Sequence, residues 1–152
     1  MRVTFFKFVE NRCSYWEAVR AKRSKVPGTP MALGRGGMPH DLLQMLVEGT
    51  VGIADGFWGS VAAGATFKST GRKRTKPGRA VIAHNRFGID RAEHVVGEHL
   101  RRWTQGEPTA CAEVLNSYAG RWAALDDREG LAIEWPSLAF LGTVGNLRSP
   151  VR

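Results

Sequence analysis

Residues 54–67 hold Gly56, Gly59, Ser60, Ala62, Ala63, Gly64 and Ala65 among a few large apolar residues. Glycine inside a helix costs about 1 kcal/mol relative to alanine. Such a stretch forms a helix only where close approach of neighbouring backbones offsets that loss. It is therefore expected to be a central, buried helix. A chain of 152 residues leaves room for one such centre and little for a second independent core. At this length about 70% of the surface of the unfolded chain is buried on folding. The hydrophobic share of 43%, with five Trp and seven Phe, suits a packed domain rather than a disordered chain.

Around this centre the pattern reads as α+β. Residues 2–9 are β-branched and aromatic, and residues 15–21 are their expected antiparallel partner across a turn at 11–14; the second segment could equally begin a helix. Residues 22–38, rich in Gly, Pro and basic side chains, read as a loop mobile around Gly34, Gly36 and Gly37. Pro39 then opens a helix, Asp41 favours the positive end of its dipole, and Gly49 is expected to end it after Glu48. Apolar residues at helical spacing mark two more helices, over 91–104 and from Pro108 to about Leu125. Leu131, Ile133 and Trp135 alternate with Ala132 and Glu134 as a half-buried strand that Pro136 ends. The expectation for 1–152 is a single α+β domain. Three to four helices pack on a small antiparallel sheet made by N- and C-terminal strands. Loops lie near 22–38 and 68–80, and the tail after Leu141 is loosely held.

Several function classes fall away. No segment has about 18 uninterrupted apolar residues, and Arg2 and Lys7 interrupt the first apolar run, so neither a membrane span nor a conventional signal peptide is expected. Cys13 and Cys111 belong to no paired metal or redox motif and are expected to be reduced thiols in a cytoplasmic protein. Gly34-Arg35-Gly36-Gly37 lacks the Lys-Ser/Thr of a phosphate-binding loop, and no catalytic triad carries a local signature.

Net charge is +8, but it is local. Residues 68–91 carry eight cations against Asp90, whereas the other 128 residues hold 14 basic and 13 acidic side chains. Lys68, Arg72, Lys73, Arg74, Lys76 and Arg79 fall within twelve residues, where Gly71, Pro77 and Gly78 are expected to prevent a regular element. Such a loop can contact phosphates by Coulomb attraction and counterion release without reading sequence, with Phe87 beyond it available to stack on an unpaired base. A solvated insertion that only aids solubility fits the same composition.

A second candidate lies on the helix after Pro39. His40, Gln44 and Glu48 share one face at spacings of four, with Asp41 beside them. Imidazole and carboxylates there could bind a divalent metal or hold a water for acid–base work; an ordinary solvated helix face has the same pattern. The run Pro39-His40-Asp41-Leu42-Leu43-Gln44-Met45-Leu46-Val47-Glu48 resembles the Pro-His-Asp-Leu-x-His-x-x-Val-Glu signature of small bacterial proteins common in actinobacteria. In those proteins the next segment is similar to residues 56–67 here. The resemblance covers about residues 39–67, implies no particular activity, and has a second His where this chain has Gln44, a poorer ligand for zinc or iron. His94 and Glu98, four residues apart on a later helix, read as a solvated pair that could join His40 and Glu48 if the helices face each other.

Two principal readings follow. One is a non-enzymatic cytoplasmic domain contacting nucleic acid or another polyanion through Lys68, Arg72, Lys73, Arg74, Lys76 and Arg79. The other is a metal-binding protein or metal-assisted enzyme built on His40, Asp41 and Glu48. A third is a partner-binding protein using Phe140 and Leu141.

Overall fold

The computed structural model describes residues 1–34, 37–70 and 74–145. Strands β1 (Arg2–Phe8) and β2 (Cys13–Val19) form an antiparallel hairpin, followed by short strands β3 (Lys25–Pro27) and β4 (Met31–Ala32). Helices α1 (His40–Val51), α2 (Phe57–Ala62), α3 (Lys76–His84), α4 (Arg86–Thr104) and α5 (Ala112–Ala123) come next, then β5 (Gly130–Glu134) and β6 (Phe140–Val144). The sheet runs β3-β2-β1-β5-β6, antiparallel throughout, with β4 also paired to β2. The fold is α+β, and strands from both chain ends meet where β1 pairs β5.

Alternation along β1 sets the layers. Val3 and Phe5 face the helices and join Trp16, Leu42, Leu46, Trp58, Leu115 and Ile133 in the main core. Phe6 and Phe8 emerge on the other side and are covered with Tyr15, Cys13 and Val144. Cys111 is buried in the main core as a free thiol.

The central Gly/Ala helix is shorter than its composition suggests. Only residues 57–62 are helical, and Gly64, at φ 104°, turns the chain out of it. Its packing is nevertheless as close as its glycines require: a Cβ on Gly59 would lie 1.8 Å from the Ala54 carbonyl oxygen. The first helix runs past Gly49 to Val51 and ends at Gly52, φ 74°. Gly49 instead gives Leu138 room, since a Cβ there would lie 2.7 Å from the leucine side chain.

Several expected loops are ordered. Within 22–38, β3 and β4 cover the outer edge of β2, whose backbone groups would otherwise lack partners, and Val26 anchors them in the core. The Gly34 amide bonds the Met38 carbonyl, and the Gly37 carbonyl accepts from Trp122 Nε1; Arg35 and Gly36 lie outside the described residues. The tail is held to Val144 by β6, with Leu131 opposite Thr143 and Gly130 opposite Val144. The basic stretch is half helical, because Pro77 sits in the first turn of α3, where a missing amide hydrogen costs nothing. Thr75 Oγ1 caps that turn by accepting from the Gly78 amide at 3.1 Å. Gly78 packs on Thr66 so closely that a Cβ would meet Oγ1 at 2.2 Å. Gly71, Arg72 and Lys73 lie outside the described residues. Among the described residues no helix is long and apolar enough to cross a membrane.

Candidate functional site

The groups on the α1 face on which the metal reading rests are each engaged by partners within the fold. Asp41 Oδ2 accepts from Trp16 Nε1 at 2.8 Å, and the Asp41 carbonyl accepts from Trp58 Nε1 at 2.9 Å. One residue thus sets both indoles, whose rings meet edge to face at 4.8 Å. His40 is about half exposed, with Nδ1 4.0 Å from Asp41 Oδ1. The Asp41 carboxylate raises the imidazole pKa above its usual value, partly offset by burial and aided by the charge of Glu93.

Glu48 is fully buried. Its Oε1 accepts from the Phe57 amide at 3.0 Å and Gln44 Nε2 at 2.9 Å, and its Oε2 accepts from the Trp58 amide at 3.0 Å. These amides belong to the first turn of α2, whose preceding residue, Gly56, offers no side-chain cap. Glu48 supplies that cap from another helix. Gly56 is glycine for the same reason: a Cβ would lie 2.7 Å from the Glu48 carboxylate. Burial pushes the Glu48 carboxyl above the usual range, opposed by its three donors, with nearby Glu93 adding to the rise. The second amide hydrogen of Gln44 reaches Glu93 at 3.4 Å, so Gln44 bridges two carboxylates and is itself buried.

His40, Asp41 and Glu48 therefore do not converge. The Asp41 carboxylate is taken by the Trp16 indole, and Glu48 is enclosed against the Gln44 side chain and two backbone amides. Among the described residues no three His, Cys, Asp or Glu side chains group as a metal site. His94 and Glu98 also part company, with His94 Nδ1 against the Asp90 carbonyl oxygen at 2.9 Å. Glu98 pairs with Arg102 at 2.7 Å and Arg101 at 3.3 Å, and these guanidinium groups lower its pKa to about 2. An apolar cleft of about 430 Å3 opens between α1 and α4 beside His40, Leu43 and Trp103. Arg101 at its rim is held by Glu98 and Glu107.

The cationic segment is arranged differently. Lys68 stands on a short 3-10 turn at Lys68–Thr70, Arg74 precedes the α3 cap, and Lys76 and Arg79 lie on α3 itself. All four are exposed, as is Arg86 at the start of α4. Among the described residues none of the five joins an ion pair, whereas Arg91 binds Asp55 at 2.9 Å and Arg101 and Arg102 bind Glu98. Residues 56–89 contain no Asp or Glu, so carboxylates cannot come from the segment itself. No acidic residue occupies the first turn of α3, leaving the positive end of its dipole without a neutralising side chain. Arg86 belongs with this group although it lies beyond the twelve-residue run; its position ahead of Asp90, the first acid after 55, is the signal in the sequence.

Phe140 and Leu141 are partly exposed, at 37% and 47%, on β6. The Arg121 guanidinium covers the Phe140 ring at 4.0 Å.

No protein-family model, curated protein or solved structure matches the chain.

Proposed function

We propose that this protein is a nucleic-acid-contacting domain that grips the phosphodiester backbone through the surface from Lys68 to Arg86, without catalysis and without reading base sequence. The observation that carries the reading is the set of exposed, unpaired cations Lys68, Arg74, Lys76, Arg79 and Arg86 in a segment with no acid. Arg72 and Lys73 add two charges from outside the described residues. Exposed cations gain little from solvated partners within a protein, whereas a polyanion offers many phosphates and releases condensed counterions when bound. The amino end of α3 adds its dipole to the same surface.

The test is fluorescence anisotropy of labelled duplex and single-stranded oligonucleotides, titrated at about 50 and 200 mM salt. Expected is binding at low salt that weakens by about tenfold or more at high salt. The variant R74A/K76A/R79A is expected to lose about tenfold or more in affinity while keeping the wild-type circular dichroism. Undiminished binding by the variant, or no binding by the wild type at low salt, overturns the proposal.

A further inference from the structure

Phe87 is 88% exposed. Its neighbours are held firmly. Asn85 Nδ2 donates to Ser60 Oγ at 3.0 Å, and Gly88 lies so near Asp55 that a Cβ would meet the carboxylate at 2.2 Å. One turn on, Arg91 binds the same Asp55 at 2.9 Å. The first turn of α4 is thus fastened on both sides of Phe87, to α2 through Asn85 and to the loop before α2 through Gly88 and Arg91, and the ring stands out from that seat. Folding gives no reason for it. Burying a phenyl group stabilises a fold, and this one forgoes nearly all of that gain.

We infer that Phe87 is a stacking platform for an unpaired base, so that the ligand is single-stranded nucleic acid with its phosphates on Arg74, Lys76, Arg79 and Arg86. This inference rests on the phosphate-contact reading and adds the strand preference to it. A single-stranded chain presents both an aromatic face and a line of phosphates, whereas a duplex hides its base faces in the stack. Charge argues against an ordinary apolar protein groove as the occupant, because the segment leading to the ring carries Arg74, Lys76, Arg79 and Arg86 and no acid, with Asp90 the first acid in sequence, three residues beyond it. The pattern also differs from a membrane-surface helix, which needs a stripe of exposed apolar residues. Among the described residues of 56–89, Phe87 is the one large hydrophobic side chain that is exposed.

Anisotropy with labelled oligothymidine of about 20 nucleotides and a duplex of equal length tests this directly. Wild type, Phe87→Ala, Phe87→Trp and the triple cation variant are compared, with phosphatidylserine-containing vesicles as a competitor. The wild type is expected to prefer the single strand. Phe87→Ala should weaken single-strand binding by about tenfold and leave duplex binding within about twofold. Phe87→Trp should retain the preference. Loss of both forms in the cation variant, with an unchanged single-strand to duplex ratio in Phe87→Ala, overturns the stacking inference and leaves the phosphate reading standing. No binding of either form by the wild type removes both. Vesicles that displace oligonucleotide only when Phe87 is intact overturn the stacking role in favour of a lipid surface.

Discussion

Glu48 and the cations of the 68–86 segment are both charged groups that invite a chemical role, and the fold treats them in opposite ways. The carboxylate is sealed inside, each oxygen taken by a donor, and its work is to start α2. The cations stand in solvent with no carboxylate in reach among the described residues. The carboxylate belongs to a recognisable pattern of spacing, and the cations to none. The difference teaches that a regular spacing of polar residues can be the mark of a structural joint. The proposed binding surface offers instead charge that the fold leaves unpaired among the described residues. Removing Glu48 should harm the fold, and removing the cations should harm only binding.

The largest expected effect is at the joint. Glu48→Ala strands the Phe57 and Trp58 backbone amides and the Gln44 amide, and should cost about 3 kcal/mol or more in urea unfolding. Gly59→Ala drives a Cβ into the Ala54 carbonyl and should cost about 1–3 kcal/mol, because backbone rather than a flexible side chain must yield. Next comes binding: R74A/K76A/R79A should lose about tenfold or more in oligonucleotide affinity at low salt. The same variant should unfold within about 0.5 kcal/mol of the wild type, the smallest effect of the series. A cation variant that unfolds early, or a Glu48→Ala protein that remains fully stable, would erase the contrast.

A pH titration sharpens it further. Burial raises the Glu48 pKa on folding, so the folded state holds its proton more tightly than the unfolded chain. That stabilising contribution is fully present below the unfolded carboxyl pKa, about 4.3, and is lost as pH rises through the folded value. Glu48→Gln cannot titrate. The urea midpoint of the wild type should therefore fall relative to that of Glu48→Gln as pH is raised from about 4 toward neutrality. His40 acts at higher pH in the same sense, since Asp41 raises its pKa and the protonated ring is favoured on folding. His40→Gln should flatten the stability profile above about pH 6.5. A wild-type curve parallel to that of Glu48→Gln would mean that burial does not govern this carboxylate.

Much of the fold was legible from periodicity. The terminal strands, the helices after Pro39 and over 91–104, and the α+β class all follow from apolar spacing, a local property of the chain. Ends were harder to read. Gly49 looks like a stop signal but is a packing glycine beneath Leu138, and the stop is Gly52 with its positive φ. Pro77 looks like a breaker but occupies a first helical turn, because Thr75 ahead of it can cap. The strands at 25–27 and 31–32 carry little signal of their own, since the edge of β2 creates them.

The same limit governs the site. Spacing correctly places Gln44 and Glu48 together, as their 2.9 Å bond shows. It carries no sign that the amides of Phe57 and Trp58 fill the remaining lone pairs, because those donors arrive from another helix. Likewise the pairing of His94 with Glu98 is locally reasonable but loses to Arg101 and Arg102, which bring opposite charge to the same carboxylate. The local excess of positive charge was legible, since no acid in the segment could neutralise it. That Phe87 stands out of the core depends on how Gly88 and Asn85 dock, which is tertiary.

The most direct test of the central claim is the salt dependence of single-strand affinity, measured side by side for the wild type and R74A/K76A/R79A. If the three cations each meet a phosphate, the slope of log affinity against log salt should become shallower by about 2 in the variant. Equal slopes for the two proteins would contradict the account, because the unpaired cations would then not be where the polyanion sits.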